Sequence, residues 1–413
     1  MNRKLLKNRP YLFLLSAQTV SNLGDWLNLI ALSALIGLKW QASPLAISAA
    51  FLCLTVPSIV CGTLSGIIAD RIDRKTLMIL TDLLRAAVVI GVILSSHLWE
   101  VYLLLGFKSL FSSLFTPAKE GKLKEIVPDE FMQSAVATSQ LVNNSTKIAG
   151  PALSGIVVAV LGVHGSFYLE SASFLLSAVL IIGVPVTKGN QQRITEKTAF
   201  SKQFSEGFDF LSKKRVLYVG LLVFALILLF EQVSDSQFIV LLREVPDHAI
   251  HLLGYIMASS GAGMIAASII LNKKEIRSYL QALSLSAIGM GIPMGLYGLF
   301  IHFPVFWVTL LFILLSLIAG FSFGMAFIPF NVMVQRQTPE SMTGRVFGTI
   351  NSVATMAVVV GMIGGGMISQ FAGAIRDFIF SGAALVMIGA IVYANRKALK
   401  NEKKEAGQRA AQA

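Results

Sequence analysis

"YLFLLSAQTVSNLGDWLNLIALSALIGL", residues 11–38, carries a single charged side chain, Asp25, near its middle. A helix of this length rises far enough to cross the roughly 30 Å hydrocarbon core of a bilayer. In water, a helix apolar on nearly every side would need a large protein core to cover it. The whole chain has the same character. Of its 413 residues, 55% are hydrophobic and 14% charged, against about a quarter charged in soluble domains. A soluble globule is excluded, and the chain reads as a polytopic membrane protein.

Apolar runs separated by turn and charge signals predict twelve spans near 11–38, 45–69, 76–96, 99–119, 132–160, 164–187, 216–242, 250–271, 277–301, 304–331, 344–370 and 374–395. Each must be helical, because an open chain in lipid has no other way to pair its backbone groups. The leading "MNRKLLKNRP" runs directly into a full-length span and shows no cleavage site of a secretory signal.

With twelve spans, 28 of the 34 Lys and Arg residues fall in connections on one side. Only Lys39, Arg243 and Arg376 fall on the other, with Arg85, Lys108 and Lys147 inside spans. This asymmetry places both termini in the cytoplasm of a cell-membrane protein. The net charge of +12 therefore orients the chain and implies no nucleic-acid partner. Cys53 and Cys61, eight residues apart on one helix, are too distant for a disulfide. The five histidines sit in or beside outward connections without metal-ligand spacing.

The polar segment 188–215 divides the chain into a bundle of six spans at 1–187 and another at 216–395, with a basic tail at 396–413. Within the segment, Phe200, Phe204, Phe208 and Leu211 share one helical face. That pattern suits a helix lying in the cytoplasmic interface and, equally, a packed connector. The halves echo each other. "FTPAKEGKLKEIVPDEFMQ" follows the fourth span and "FIPFNVMVQRQTPESMTG" the tenth, with Pro117 and Pro329 closing the spans. Asp129, Glu130 and Glu340 then open the next helices, where the macrodipole favours acids.

At the turn between the second and third spans stands "GIIADRIDRKTL", residues 66–77. With this motif the chain resembles the major facilitator superfamily. Gly66, Asp70, Arg71, Arg74 and Lys75 match its Gly-x-x-x-Asp-Arg-x-Gly-Arg-Lys signature, and Asp73 replaces the last Gly. The resemblance implies an all-α fold of twelve helices in two six-helix bundles, and a gating turn that meets the eleventh span near Gly344 and Arg345. "KIAGPALSG" in the fifth span resembles the superfamily's antiporter motif through Gly150, Pro151 and Gly155, with Ser154 in place of a Gly. This kinked, small-faced helix implies export; a generic packing kink is the other reading. The flavour is that of the multidrug, macrolide and enterobactin exporters.

An ionisable group in mid-span costs about 2.5–3.5 kcal/mol on insertion scales, so it must face a cavity or a partner. On the first span Gln18, Ser21, Asn22, Asp25 and Asn28 form one polar stripe. Lys108 on the fourth span lies at matching depth. Asn143 and Lys147 lie on the fifth, Glu170 on the sixth, and Glu231 and Asp235 share a face of the seventh. The candidate cavity is Gln18, Asn22, Asp25, Lys108, Asn143, Lys147, Glu231 and Asp235, with Phe111, Phe115 and Phe224 as apolar contacts. Asp25 and Glu231 are the candidates for proton exchange, with Lys108 setting their ionisation. A fixed ion-pair latch is the alternative for each. Asp82 and Arg85 read as part of the gate beside the basic turn.

These readings converge on a secondary transporter, not an enzyme, without cofactor or metal. Its expected partners are protons, a small amphiphilic substrate and the bilayer, and it is expected to act as a monomer that exports by proton antiport. No Gly-x-x-x-x-Gly-Lys-Ser/Thr loop occurs, which argues against an ATP-driven pump. An importer or a lysolipid flippase of the same fold is an alternative, and a non-transporting sensor or scaffold is one of another class.

Overall fold

A computed structural model describes residues 5–186, 200–245, 249–273, 278–339 and 342–412. The expected linker part 188–199, His248 and Glu340 lie outside the described residues, as do the side chains of Asp70 and of the tail from 396. Described elements are all helical: α1 (Arg9–Ala34), α2 (Pro44–Arg71), α3 (Arg74–Leu94), α4 (Leu98–Ile126), α5 (Asp129–Ile182), α6 (Phe200–Lys213), α7 (Arg215–Asp235), α8 (Phe238–Leu241), α9 (Ala249–Lys273), α10 (Tyr279–Phe300), α11 (Val305–Gln337), α12 (Thr343–Ala372) and α13 (Ala374–Gln412). Among the described residues, eleven helical stretches are long and apolar enough to cross a membrane. One of them, α5, has two arms, because Gly162 breaks it with φ 70° and ψ −175°. Counted by arms, that makes twelve crossings.

The helix starts carry their chemistry in the sequence. The Asn8 and Ser43 side chains accept from the Tyr11 and Ala46 amides, each ahead of a proline in the first turn. Asp73 accepts from the amide and hydroxyl of Thr76, both at 2.8 Å. At its C-terminal end α1 relaxes into a π turn, Leu35–Lys39.

Two sequence-based span ends need correction. Pro117 and Pro329 do not close their spans, for α4 runs on to Ile126 and α11 to Gln337. A proline costs a helix one backbone bond, but neighbouring helices re-satisfy the freed group within a membrane bundle. The extension of α4 is held by polar contacts. Arg74 Nη1 pairs with Glu125 at 2.8 Å, and the fully buried Lys122 pairs with the same carboxylate at 2.8 Å.

The chain forms two compact units, Met1–Thr195 with Pro246–Ala258, and Glu196–Val245 with Ser259–Ala413. In the first, α1 packs along α5 and α3 is held between α4 and α5. Two glycines allow that proximity. A Cβ on Gly24 would overlap the Ser173 hydroxyl of the second arm of α5, and one on Gly150 would enter the Trp26 indole ring. In the second unit α10 packs on α11 and α13, and α7 on α12. Its core includes Phe224 stacked on Phe330 with ring centroids 4.2 Å apart. Here α6 packs on α12 and α7. Leu211 is buried, the Gly207 Cα sits against the Arg345 carbonyl, and Glu206 pairs with Arg345 at 2.7 Å. Phe208 on the same helix stays exposed.

Candidate functional site

The close approach at Gly24 sets the site. It brings the next turns of α1 against the second arm of α5, so Asn28 reaches across and donates to Glu170 Oε2 at 2.9 Å. Lys108 of α4 arrives from the other side, 2.6 Å from Glu170 Oε1 and 3.3 Å from Asp25 Oδ1. Arg85 of α3 lies 3.7 Å from Asp25 Oδ2 and donates to Ser21 Oγ at 3.0 Å. It also pairs with Asp82, one turn before it on the same helix. The result is a chain of five charges, Glu170–Lys108–Asp25–Arg85–Asp82, from four helical segments.

Burial along this chain is uneven. The side chains of Asp82 and Glu170 are fully buried, and those of Arg85 and Lys108 are 3% and 4% exposed, whereas Asp25 is 43% exposed. Of the five, only Asp25 is exposed at the protein surface. Behind it, aromatic rings wall the cations: Arg85 lies 4.8 Å from the Phe115 ring centroid and 4.3 Å from that of Phe174. Such contacts stabilise a desolvated guanidinium. Phe115 thus backs Arg85, and Phe224 belongs to the core of the second unit; neither is an apolar cavity contact as the sequence suggested.

Below Asp25, the polar stripe of α1 zips onto the first arm of α5. Gln18 Nε2 donates to Asn143 Oδ1 at 2.6 Å and to the Ser139 carbonyl at 3.2 Å, while Asn22 Nδ2 donates to the same Asn143 oxygen at 2.8 Å. Ser139 Oγ returns a bond to Gln18 Oε1 at 2.7 Å. Lys147, one turn on from Asn143, is exposed on α5.

Asp82 and Arg85, read from the sequence as part of a gate, are joined here to Asp25. The turn between α2 and α3 is anchored within its unit: Arg74 meets Glu125 and the Gly121 carbonyl, and Lys75 Nζ donates to the Ile182 carbonyl at 2.7 Å. Gly66 is half-buried and Arg71 exposed. Partial burial tends to raise the carboxyl pKa of Asp73 in this turn, but the two Thr76 bonds, with Lys122 and Lys75 nearby, outweigh it and hold it below the ordinary value. Gly150 and Pro151 lie beside Trp26, and Gly155 packs its backbone against Gly254 and Ala258 of α9.

In the second unit, Glu231 is half-buried and Asp235 exposed, one turn apart on α7. Sequence reasoning passed over Asp377, which is fully buried at the start of α13 and accepts from Ser369 Oγ at 2.8 Å and Ser381 Oγ at 3.5 Å. Its place beside Arg376, at the edge of a span, gave the look of a loop acid; the two serines at i−8 and i+4 were the available signal.

A helical chain with twelve crossings and a buried charge network opening at one carboxylate defines a multi-pass membrane transporter. The sequence profile of the Major Facilitator Superfamily matches residues 14–362, and the chain belongs to that family. It is 40% identical over 400 residues to the uncharacterized MFS-type transporter YfiS of Bacillus subtilis (strain 168), covering 96% of each chain. It is 22% identical to macrolide efflux protein A of Streptococcus pyogenes over 84% of this chain and 87% of that protein. In fold it resembles the nucleoside transporter NupG, with a TM-score of 0.66 at 14% identity, covering 93% of this chain and 98% of NupG.

Proposed function

We propose that this transporter exports a small amphiphilic compound in exchange for protons entering the cell, with both termini cytoplasmic. The observation that carries this reading is the half-exposed Asp25 carboxylate at the open end of an otherwise buried chain of charges. A carboxylate so placed meets water and substrate, while its ionisation is felt by Lys108 and Arg85 in a medium where charge interactions are strong. Each proton moving inward is favoured by about 2.3 kcal/mol per 100 mV of membrane potential. Export is supported by the Gly150–Pro151–Gly155 motif and by the similarity to macrolide efflux protein A.

The reading is tested with ethidium in inverted membrane vesicles. A proton gradient, acid inside, should drive ethidium accumulation by the wild type, and Asp25→Asn should abolish it with the protein still inserted. An importer would instead empty preloaded vesicles under the same gradient. A sensor or scaffold would move no dye.

A further inference from the structure

Near the start of α1 a small cleft opens between that helix, the end of α4 and the first arm of α5. Tyr11, Gln18, Lys119 and Ser139 form its polar wall, and Leu14, Leu15 and Leu123 close the rest. Most of the polar wall is already paired. Ser139 Oγ donates to Gln18 Oε1 at 2.7 Å, and the Gln18 amide donates to the Ser139 carbonyl and to Asn143 at 3.2 and 2.6 Å. The Tyr11 hydroxyl is turned to the Ala135 carbonyl and Thr138. Lys119 is the exception. Its ammonium makes no hydrogen bond or ion pair among the described residues, and the charge it feels is that of Glu120, its exposed chain neighbour.

Other cations at this end of the unit are anchored. Arg74 and Lys122 share Glu125, and Lys75 holds the Ile182 carbonyl. Lys119 lies two residues beyond Pro117, on the α4 extension that the Glu125 pairs fix. Leaving a cation uncompensated beside leucines is costly, and a lysine stem ordinarily escapes that cost by reaching water. Lys119 instead stays partly buried and lines the cleft. What is left unpaired defines the ligand. The cleft offers N–H donors and a positive charge, while Gln18 Oε1, the amide acceptor on its wall, already holds the Ser139 hydroxyl. It therefore selects a negative group that only accepts, such as a carboxylate or a phosphate. The three leucines suit an apolar stem behind that group. The position, where α1 begins and α4 ends, is the depth of lipid headgroups. Space is tight, enough for an acid group and too little for a drug-sized molecule.

We propose that this cleft binds the acid head of an anionic amphiphile, a carboxylate or phosphate on an apolar chain, with Lys119 as its counter-ion. The bound head ties α1 to the α4 extension beside the Gln18–Asn143 contact. None of the five charges of the Asp25 chain takes part, so the site stands whichever way the transporter runs.

Binding is read on delipidated full-length protein in neutral maltoside micelles, with labelled dodecyl phosphate as probe and dodecyltrimethylammonium as its cationic counterpart. Wild type should bind about one dodecyl phosphate saturably, with dodecanoate competing and the ammonium not. Lys119→Met should weaken binding at least about tenfold, the size of one charge-assisted hydrogen bond, and Lys119→Arg should keep it. Lys124→Met, which removes an exposed lysine of the same helix, should leave it unchanged. Without probe, Lys119→Met should melt no lower than wild type, because it removes an unpaired charge. A misfolded or lower-melting Lys119→Met would show that the ammonium already serves the fold, and would overturn the assignment. So would wild-type affinity in that variant, or equal binding of the cationic counterpart. Nanodiscs then separate the sources of the acid. Probe that binds in phosphatidylcholine discs and is displaced by phosphatidylglycerol marks a lipid phosphate as the resident; probe that binds equally in both marks a free anionic amphiphile.

Discussion

Replacing Lys108 with methionine removes a cation from between two acids, and the acids do not suffer equally. Asp25 keeps Arg85 at 3.7 Å and is only partly buried, so the guanidinium still compensates it. Glu170 is wholly buried and keeps only the Asn28 amide at 2.9 Å. Breaking a buried ion pair from one side costs about 3–5 kcal/mol, whereas replacing both partners by apolar groups is often neutral or better. Lys108→Met should therefore lose about 3–5 kcal/mol, nearly all of it through Glu170. In Lys108→Met/Glu170→Met the orphaned carboxylate is gone, and what remains is the unpaired Asn28 amide, worth about 1–3 kcal/mol. The double variant should thus be more stable than the Lys108 single variant. Equilibrium unfolding in mixed micelles, run on wild type, both singles and the double, measures the cycle. A double variant no more stable than Lys108→Met would refute the claim that Glu170 depends on Lys108.

Two further outcomes follow from the same geometry. Asp73→Ala removes the N-cap of α3 and should cost about 0.5–2 kcal/mol. Because the folded carboxyl titrates below its unfolded value, the difference from wild type should be full above the unfolded pKa near 3.9 and disappear as pH falls through the still lower folded value; unfolding measured across that range checks it. Gly150→Ala drives a methyl into the Trp26 indole and should destabilise by about 1–3 kcal/mol, with Trp26→Leu in the same chain recovering most of the loss in a thermal melt.

The bilayer, the spans and the polar stripe of α1 were legible because each is a pattern along one helix. Length, hydropathy and the spacing of Gln18, Asn22 and Asp25 are local, and even the shared depth of Asp25 and Lys108 follows from counting rise. What sequence could not supply was which faces meet. Arg85 reads as a cytoplasmic-side residue of its span until Gly24 brings α1 against α5 and α3 is held between α4 and α5; only then does the guanidinium reach Asp25. Glu170 was visible as an acid but not as the partner of Lys108, since nothing in its own helix points to α4. Proline misled for a related reason. Pro117 looks like a stop, yet α4 continues because Arg74 and Lys122 hold Glu125 beyond it.

The most direct measurement is proton movement driven by substrate alone. Proteoliposomes holding a pH-sensitive dye and given an ethidium gradient should show proton flux opposite to the ethidium flux with wild-type protein, and none with folded Asp25→Asn. Proton flux of wild-type size in that variant would contradict the role given to the carboxylate at the open end of the charge chain.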